Sequence, residues 1–463
     1  MNSNFEKLYF MMPFWLQNIL VSIYGLKLRK ERYSVDHDLK LSQLMKSAKF
    51  SEDEIKRYQE KQFVALARYA VTNVPYYREI AQKNGFNESD INSIDDLIRF
   101  PILKKSTVKE NPEKFVSDEY DVENLISLYT SGTSGTPLKV YCNKSVRSQH
   151  YAFFTRLRHS LGIDEKGIRV TLFGRIIMRP NEVRPPFWRW DFFNRNLLMS
   201  SYHLSENNVI EYYNKIRQVA PSEIIGYPSS IYQISKYIVN NGLDKLKVKA
   251  VITTAETLMD YQRKSIEEAF DAPVINQYGC TEMAFFVSEC EYGSLHINPE
   301  HGIMEIIGSE EILKNKGPIA VTGLINNVMP LIRYEVGDIV EFSEKKECQC
   351  GSRFPIISRV EGRVDDIVFS KSGAAVGRLD PVFKGGQNIS EAQIHQLANG
   401  NIIVRVVPTE LFNDENAEWI RYELKKRVGD GLNIDIQIVD SIELEKSGKF
   451  KAVISEYKPH RSS

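Results

Sequence analysis

The chain lacks a net charge: 60 Lys and Arg residues stand against 60 Asp and Glu residues. That balance argues against broad electrostatic binding to nucleic acid, which leaves a basic footprint in composition. Cysteine is scarce, with five in 463 residues. So few, and an odd number, do not make a disulfide scaffold and fit a reducing, cytoplasmic setting. Repeats and low-complexity tracts are absent. An apolar fraction of 42% and a charged fraction of 26% are those of a globular protein, which excludes disorder, collagen and a polytopic membrane protein. The length predicts two or three domains.

Long hydrophobic runs are also nearly absent. The exception is Leu8 to Leu26, 19 uncharged residues of which 14 are apolar. A spanning helix needs about 20 mostly apolar residues, and Pro13, Gln17, Asn18, Ser22 and Gly25 interrupt this run. The basic segment Lys27-Leu28-Arg29-Lys30-Glu31-Arg32 follows it. A packed arm is the favoured reading. The next is an interfacial helix making peripheral contact with the inner face of a membrane, and a span is the least favoured. Glu6-Lys7 before the run, with no small-residue cleavage pattern after it, does not make a secretory signal.

Ser51 to Glu54 has the form of a capping box and predicts a helix to about Thr72, with Ile55, Phe63, Ala67 and Ala70 inward and Pro75 as its stop. Farther on, apolar runs at Gly167–Phe173, Glu223–Gly226, Val248–Thr253 and Pro273–Gln277 predict short buried strands. Helical patterns at Asn207–Val219, Ser229–Val239 and Met259–Phe270 lie between them. The alternation predicts βαβ units and a largely parallel sheet, with ligands at the carboxyl ends of its strands. After about Asp366 a Gly-rich stretch leads to a strand (Ile402–Val407), a helix (Asn413–Arg427) and another strand (Ile434–Val439), a unit of domain size.

The segment Tyr129 to Pro137, YTSGTSGTP, sets five hydroxyls (Thr130, Ser131, Thr133, Ser134, Thr136) among Gly132 and Gly135. Glycines let backbone amides approach an anion and hydroxyls add donors, a combination suited to a polyphosphate. Lys139 follows, close enough to neutralise charge, and no Walker spacing is present. In NQYGCTE, from Asn276, Tyr278 offers a face for a purine, Gly279 a sharp turn and Glu282 a carboxylate for magnesium. RYEVGD ends on Asp338, a candidate acceptor for ribose hydroxyls. GRVDD spans Gly362 to Asp366, and SGKFK places Lys449 in a short loop.

Together and in this order these segments resemble the adenylate-forming superfamily, in particular its phenylacetate–CoA ligase and capsule-biosynthesis CapK branch. PILKKSTVKEN (from Pro101), SYHLS, GYPSS and TTAE support the resemblance, which covers most of the chain from about residue 30. It implies an α/β fold: an N-terminal arm (1–50), a large adenylation domain (51–364) of mixed and parallel sheets flanked by helices, and a small, mobile C-terminal α+β domain (366–463). It also implies an ATP-dependent, AMP-forming ligase that makes an acyl-adenylate from a carboxylic acid and passes the acyl group to an acceptor. The alternative is an adenylyltransferase that leaves AMP on a hydroxyl-bearing acceptor. By the same resemblance Thr130 to Thr136 hold the β- and γ-phosphates, Tyr278 stacks on adenine and Thr281 touches the α-phosphate. Glu282 coordinates magnesium, Ala255 and Glu256 line the adenine pocket, and Asp338 binds ribose. Arg363 approaches the nucleotide, Asp365 occupies the hinge position and Lys449 serves adenylation. After the hinge, SKSGAAVGRLDPVFKG lacks the segment with which CoA synthetases admit pantetheine. The departure raises an amine or hydroxyl acceptor, such as an amino sugar in polysaccharide biosynthesis, beside CoA. The acid pocket is expected from Phe173–Ile177, Tyr202–His203, Tyr227–Ser229 and the loop after Met283, suiting an apolar acid.

Cys290, His296, Cys348 and Cys350 make a plausible tetrahedral set for structural zinc, with His301 as the rival ligand. Cys142 and Cys280 read as plain thiols.

Overall fold

Three helices precede the predicted capping box: α1 (Ser3–Met11), α2 (Phe14–Arg32) and α3 (Val35–Ser47). The computed structural model describes the whole chain except residues 1–2, 131–137, 180, 257, 259, 308–314, 346, 362–367, 377–378, 384–387, 443–452 and 458–463. Pro13 stands in extended backbone just before α2 and separates it from α1. The residues that interrupt the apolar run turn out to be the inward face of α2: Gln17, Asn18, Ser22 and Gly25 are buried, whereas Trp15, Ile19, Ile23 and Tyr24 are exposed. Asn18 Oδ1 accepts the Trp190 N–H at 3.0 Å, Ser22 Oγ accepts the Phe192 N–H at 3.0 Å, and Gln17 Oε1 accepts Arg189 Nε–H at 2.6 Å. At Gly25 the approach is so close that a Cβ would fall 2.1 Å from Asp191 Oδ2. The arm is packed, and among the described residues no helix is long and apolar enough to cross a membrane.

Helix α4 (Glu52–Asn73) opens on the capping box: Glu54 Oε2 accepts the Ser51 N–H at 2.8 Å, and Ser51 Oγ accepts the Glu54 N–H at 3.4 Å. Ile55, Phe63, Ala67 and Ala70 are buried, as their spacing predicts, and Pro75 starts α5 (Pro75–Asn84). The short α6 (Lys105–Glu110) follows. Next, β1 (Ile126–Tyr129) and β2 (Lys139–Cys142) pair antiparallel on either side of residues 131–137. Asn143 then caps α7 (Lys144–Ser160) by accepting the Val146 N–H at 2.9 Å.

The parallel half of the main sheet is built by β3 (Arg169–Phe173), β5 (Asn196–Ser200), β6 (Glu223–Gly226), β7 (Ala250–Thr254) and β8 (Val274–Gly279), with β4 (Trp188–Asp191) antiparallel at the edge. Helices α8 (Val209–Val219), α9 (Pro228–Asn240) and α10 (Asp260–Phe270) connect these strands. They cover its faces, so strands such as β6 are buried throughout. Beyond β8 the sheet turns antiparallel through β9 (Phe286–Glu289), β10 (Leu295–Ile297), β11 (Gly302–Ile306), β12 (Lys316–Gly323), β13 (Tyr334–Phe342) and β14 (Ile356–Glu361). The order is β11-β12-β13-β14-β10-β9-β8-β7-β6-β3-β5-β4. The sheet is therefore mixed, and only its middle is the parallel array that the strand–helix alternation predicts.

After the small ribbon β15 (Val368–Phe369) and β16 (Ala375–Val376), a second sheet is formed by β17 (Ile389–Gln396), β18 (Ile402–Pro408), β19 (Ile434–Ile438) and β20 (Val453–Ser455), in the order β19-β18-β17-β20. Helix α11 (Asp414–Val428) buries Ile420 and Leu424 in one core with Ile394, Val404 and Val406. The whole is α/β: a large mixed sheet flanked by helices, and a small C-terminal domain.

Candidate active site

A cavity of about 1170 Å³ opens at the carboxyl ends of β3, β7 and β8. Thr254, Ala255 and Glu256 reach it from the end of β7, Tyr278 and Gly279 from the end of β8, and Thr281 and Glu282 from the loop that follows. Asp338 enters from β13, where Gly337 has φ +86°. Ala255 and Met283 hold φ values of +69° and +54°, left-handed backbone that costs a non-glycine residue about 1–3 kcal/mol and clusters at functional sites.

The side chains at this end are tied together. Tyr278 Oη donates to Asp338 Oδ2 at 2.8 Å, and its ring leans on Phe285 with centroids 4.8 Å apart. Glu282 is buried; its Oε1 accepts Tyr334 Oη–H at 2.8 Å and lies 3.6 Å from Lys105 Nζ. Thr254 Oγ1 donates to Gln277 Oε1 at 2.6 Å. Glu256 Oε2 accepts the Ser229 N–H at 3.1 Å, while Oε1 is buried without a partner, and burial pushes this carboxyl above the usual range. Burial, then the Glu282 charge, raises the Cys280 thiol far above its ordinary value; burial also lifts Cys142, to about 11. Both are inert thiols.

Thr130 lines the cavity and clamps the base of the β1–β2 pair: its N–H donates to Leu138 O at 2.9 Å, and its Oγ1 accepts the Leu138 N–H at 3.1 Å. Ser131, Gly132, Thr133, Ser134, Gly135 and Thr136 lie outside the described residues, as do Arg363, Asp365 and Lys449. Lys139 is not brought to the cavity; its ammonium sits 4.6 Å over the Tyr141 ring, two residues along the same face of β2. Lys105 escapes a sequence reading because nothing in PILKKSTVKEN says which of its two adjacent lysines turns inward.

The far end of the cavity differs from expectation. Phe173 lines it, but Tyr202, His203 and Tyr227 do not; His203 is held by Ser200 Oγ at 2.7 Å and Arg179 O at 2.8 Å. Arg175, from the expected Phe173–Ile177 segment, lines it as well, joined by Arg32 and Tyr33 from the arm, His150, Tyr151, Phe154 and Arg158 from α7, and Arg169.

Away from the cavity, the ligand atoms of Cys290, His296, Cys348 and Cys350 all lie within 4.8 Å of one another. Cys290 Sγ is 3.6 Å from Cys348 Sγ, and Cys350 Sγ is 3.4 Å from His296 Nε2. Tetrahedral zinc separates two such sulfurs by about 3.8 Å and sulfur from nitrogen by about 3.5 Å. His296 Nδ1 lies 3.1 Å from Phe354 O, an arrangement that leaves Nε2 to the cluster. His301 is not part of it: fully buried, its Nε2 lies 2.9 Å from His150 Nδ1.

Comparison with known proteins meets this geometry. Residues 368–456 match the CapK C-terminal domain family. Protein CapK of Staphylococcus aureus is 28% identical over 96% of this chain and 98% of its own. The chain is CapK-like in sequence along nearly its whole length. A phenylacetate-coenzyme A ligase of Pseudomonas putida is 24% identical to the CapK-like chain over 87% of it and 93% of the relative. In fold, the CapK-like chain matches 2-hydroxyisobutyryl-CoA ligase crystallised with 2-HIB-AMP and CoA. The TM-score is 0.59 at 17% identity, over 89% of this chain and 91% of the other.

Proposed function

We propose that this CapK-like chain is an ATP-dependent, AMP-forming acid ligase. A carboxylate attacks the α-phosphorus of ATP, the bond to the β-phosphate breaks, and pyrophosphate leaves. The acyl-adenylate then gives its acyl group to a nucleophile and releases AMP. One observation carries the reading: an aromatic ring and a carboxylate, Tyr278 and Asp338, are locked together beside the buried Glu282 and its half-buried partner Lys105, at the strand ends where α/β sheets bind nucleotides. Tyr278 would stack on adenine, Asp338 accept from the ribose hydroxyls, and Thr281 and Lys105 meet charge growing at the α-phosphate. Tyr334 and Lys105 both meet Glu282 at Oε1, and Oε2 fits a magnesium ion, which would supply charge neutralisation for the phosphates. Lys449 and residues 131–137 keep the roles the resemblance gives them, as part of the proposal. The acceptor is CoA or an amine or hydroxyl of a polysaccharide precursor.

The test is product analysis with Mg-ATP and a panel of carboxylic acids, with and without CoA. AMP and pyrophosphate released together with one class of acid are expected. Retention of AMP on an added hydroxyl compound, with no need for an acid, would replace the ligase with an adenylyltransferase.

Two structural roles belong to the proposal. The Cys290–His296–Cys348–Cys350 set would hold zinc, tying the β9–β10 hairpin to the loop before β14 with no ligand position left for substrate. Metal analysis should find one zinc per chain, lost in Cys348→Ser together with melting temperature; a metal-free chain of unchanged stability counts against it. The arm would rest on an anionic membrane surface, since α2 turns Trp15, Ile19 and Ile23 outward and ends on exposed Lys27, Arg29 and Lys30. Co-sedimentation with phosphatidylglycerol vesicles, weakened by Trp15→Glu, checks it; equal recovery with neutral vesicles or none argues against.

A further inference from the structure

The far end of the cavity carries more positive charge than its own side chains neutralise. Arg158 and Arg169 share the single carboxylate of Glu223, at 2.9 and 2.6 Å. Arg32 and Arg175 have no carboxylate within ion-pair distance among the described residues. Arg32 lays its guanidinium 4.5 Å over the Tyr151 ring, which fixes its orientation, and its Nε is buried without a hydrogen-bond partner. Arg175 follows β3 and is accessible from the cavity, though deep in the protein. Desolvation, then the charge of Arg32, pulls its guanidinium below the usual range, and the nearby Tyr151, Tyr24 and Tyr227 offset part of this. Two like charges facing one space make it attractive to an anion that either guanidinium can bind.

Their position says which anion. Between β8, which carries Tyr278, and β3, which leads to Arg175, lie β7 and β6. Three inter-strand steps put Arg175 roughly 14 Å across the sheet from the nucleotide end. An acid activated in front of β7 and β8 and extending over β6 would bring its distal end to these arginines, beyond the aromatic walls of Phe154 and Phe173.

We infer that the cavity takes a carboxylic acid bearing a second anionic group, a dicarboxylate or phosphorylated acid, whose distal anion is held between Arg32 and Arg175. This rests on the ligase reading for which carboxylate reacts, but binding reports on it without turnover. Titration calorimetry on the full chain with AMP would compare matched pairs. The pairs are linear dicarboxylates of about four to eight carbons against monocarboxylates of equal length, with terephthalate against 4-methylbenzoate.

At least one dianion should bind roughly tenfold or more tightly than its partner, and Arg32→Gln or Arg175→Gln should erase that ratio. Arg175→Lys keeps the charge and should retain most of the preference, which guards against a glutamine variant that fails to fold. Equal binding across every pair, or glutamine variants that weaken both members alike, overturns the inference. Pyrophosphate exchange on the same panel separates the two claims. A dianion preference without exchange sinks the ligase reading alone; exchange with monocarboxylates only sinks this inference alone.

Discussion

At the end of the cavity proposed for the nucleotide, Tyr278 is bonded to Asp338 and Glu282 is held by Tyr334 and Lys105. At the far end, Arg32 and Arg175 face the same space with no carboxylate within ion-pair distance among the described residues. The first end is polar and tied together by these hydrogen bonds, the kind of preorganised surface that does not rearrange as charge moves during a reaction. The second is unbalanced, and its electrostatics favour whichever molecule brings the missing sign. Under the proposed ligase reaction, chemistry shared by every acid would use the first arrangement and choice among acids the second.

The comparison can be broken by substitution. The largest effect is expected for Asp338→Ala, which removes a proposed ribose acceptor and releases Tyr278 together. Acid-dependent pyrophosphate exchange should fall about a hundredfold or more, and a loss under threefold would mean that this end is not preorganised for nucleotide. The change in acid preference in Arg175→Gln is next in size. Tyr278→Phe keeps the ring and deletes only the hydroxyl, so KM for ATP should rise about fivefold, the worth of one hydrogen bond. A kcat effect with KM unchanged would mean that the Tyr278 hydroxyl does not hold Asp338 for nucleotide binding.

The smallest effect is on stability against pH. Burial, then the charges of Arg147 and Arg32, hold the His150 imidazole down to about 3, against 6.5 for the free group. Its contribution is present in full above pH 6.5. Between 6.5 and 3 the unfolded chain binds a proton that the folded chain does not, so stability falls as the pH falls. Urea unfolding at pH 7 and pH 5 should show that loss, reduced in His150→Gln. A dianion beside Arg32 should raise the His150 value, and its absence from the NMR titration would weaken the contrast between the two ends.

Legibility in the sequence follows the same division. Tyr278, Gly279, Thr281 and Glu282 lie within five consecutive residues after a buried strand, so a local pattern exposes them together. Arg32 and Lys105 come from distant segments that no local pattern ties to the cavity; Arg175 lies within the expected Phe173–Ile177, but only the strand order and the path of α2 set it beside Arg32 at the end opposite Lys105. The parallel strands were readable because burial on both faces makes them continuous apolar runs, as in Glu223–Gly226. β11 to β14 were not: β11 is half-buried along most of its length without alternation, and Pro318 and Gly337 interrupt β12 and β13. In α2 the spacing revealed two faces but not which one turns inward. Gln17, Asn18 and Ser22 read as flaws in an apolar helix and are in fact its contacts with the rest of the protein.

Arg32 is the last residue of α2, so one wall of the cavity hangs on an appendage rather than on the sheet. A discriminating contact on an appendage can drift, be lost or be exchanged without disturbing the strands that carry Tyr278 and Glu282. Descendants of such a scaffold can inherit one activating reaction intact and still diverge in diet, each acquiring a new acid by rewriting a few N-terminal turns.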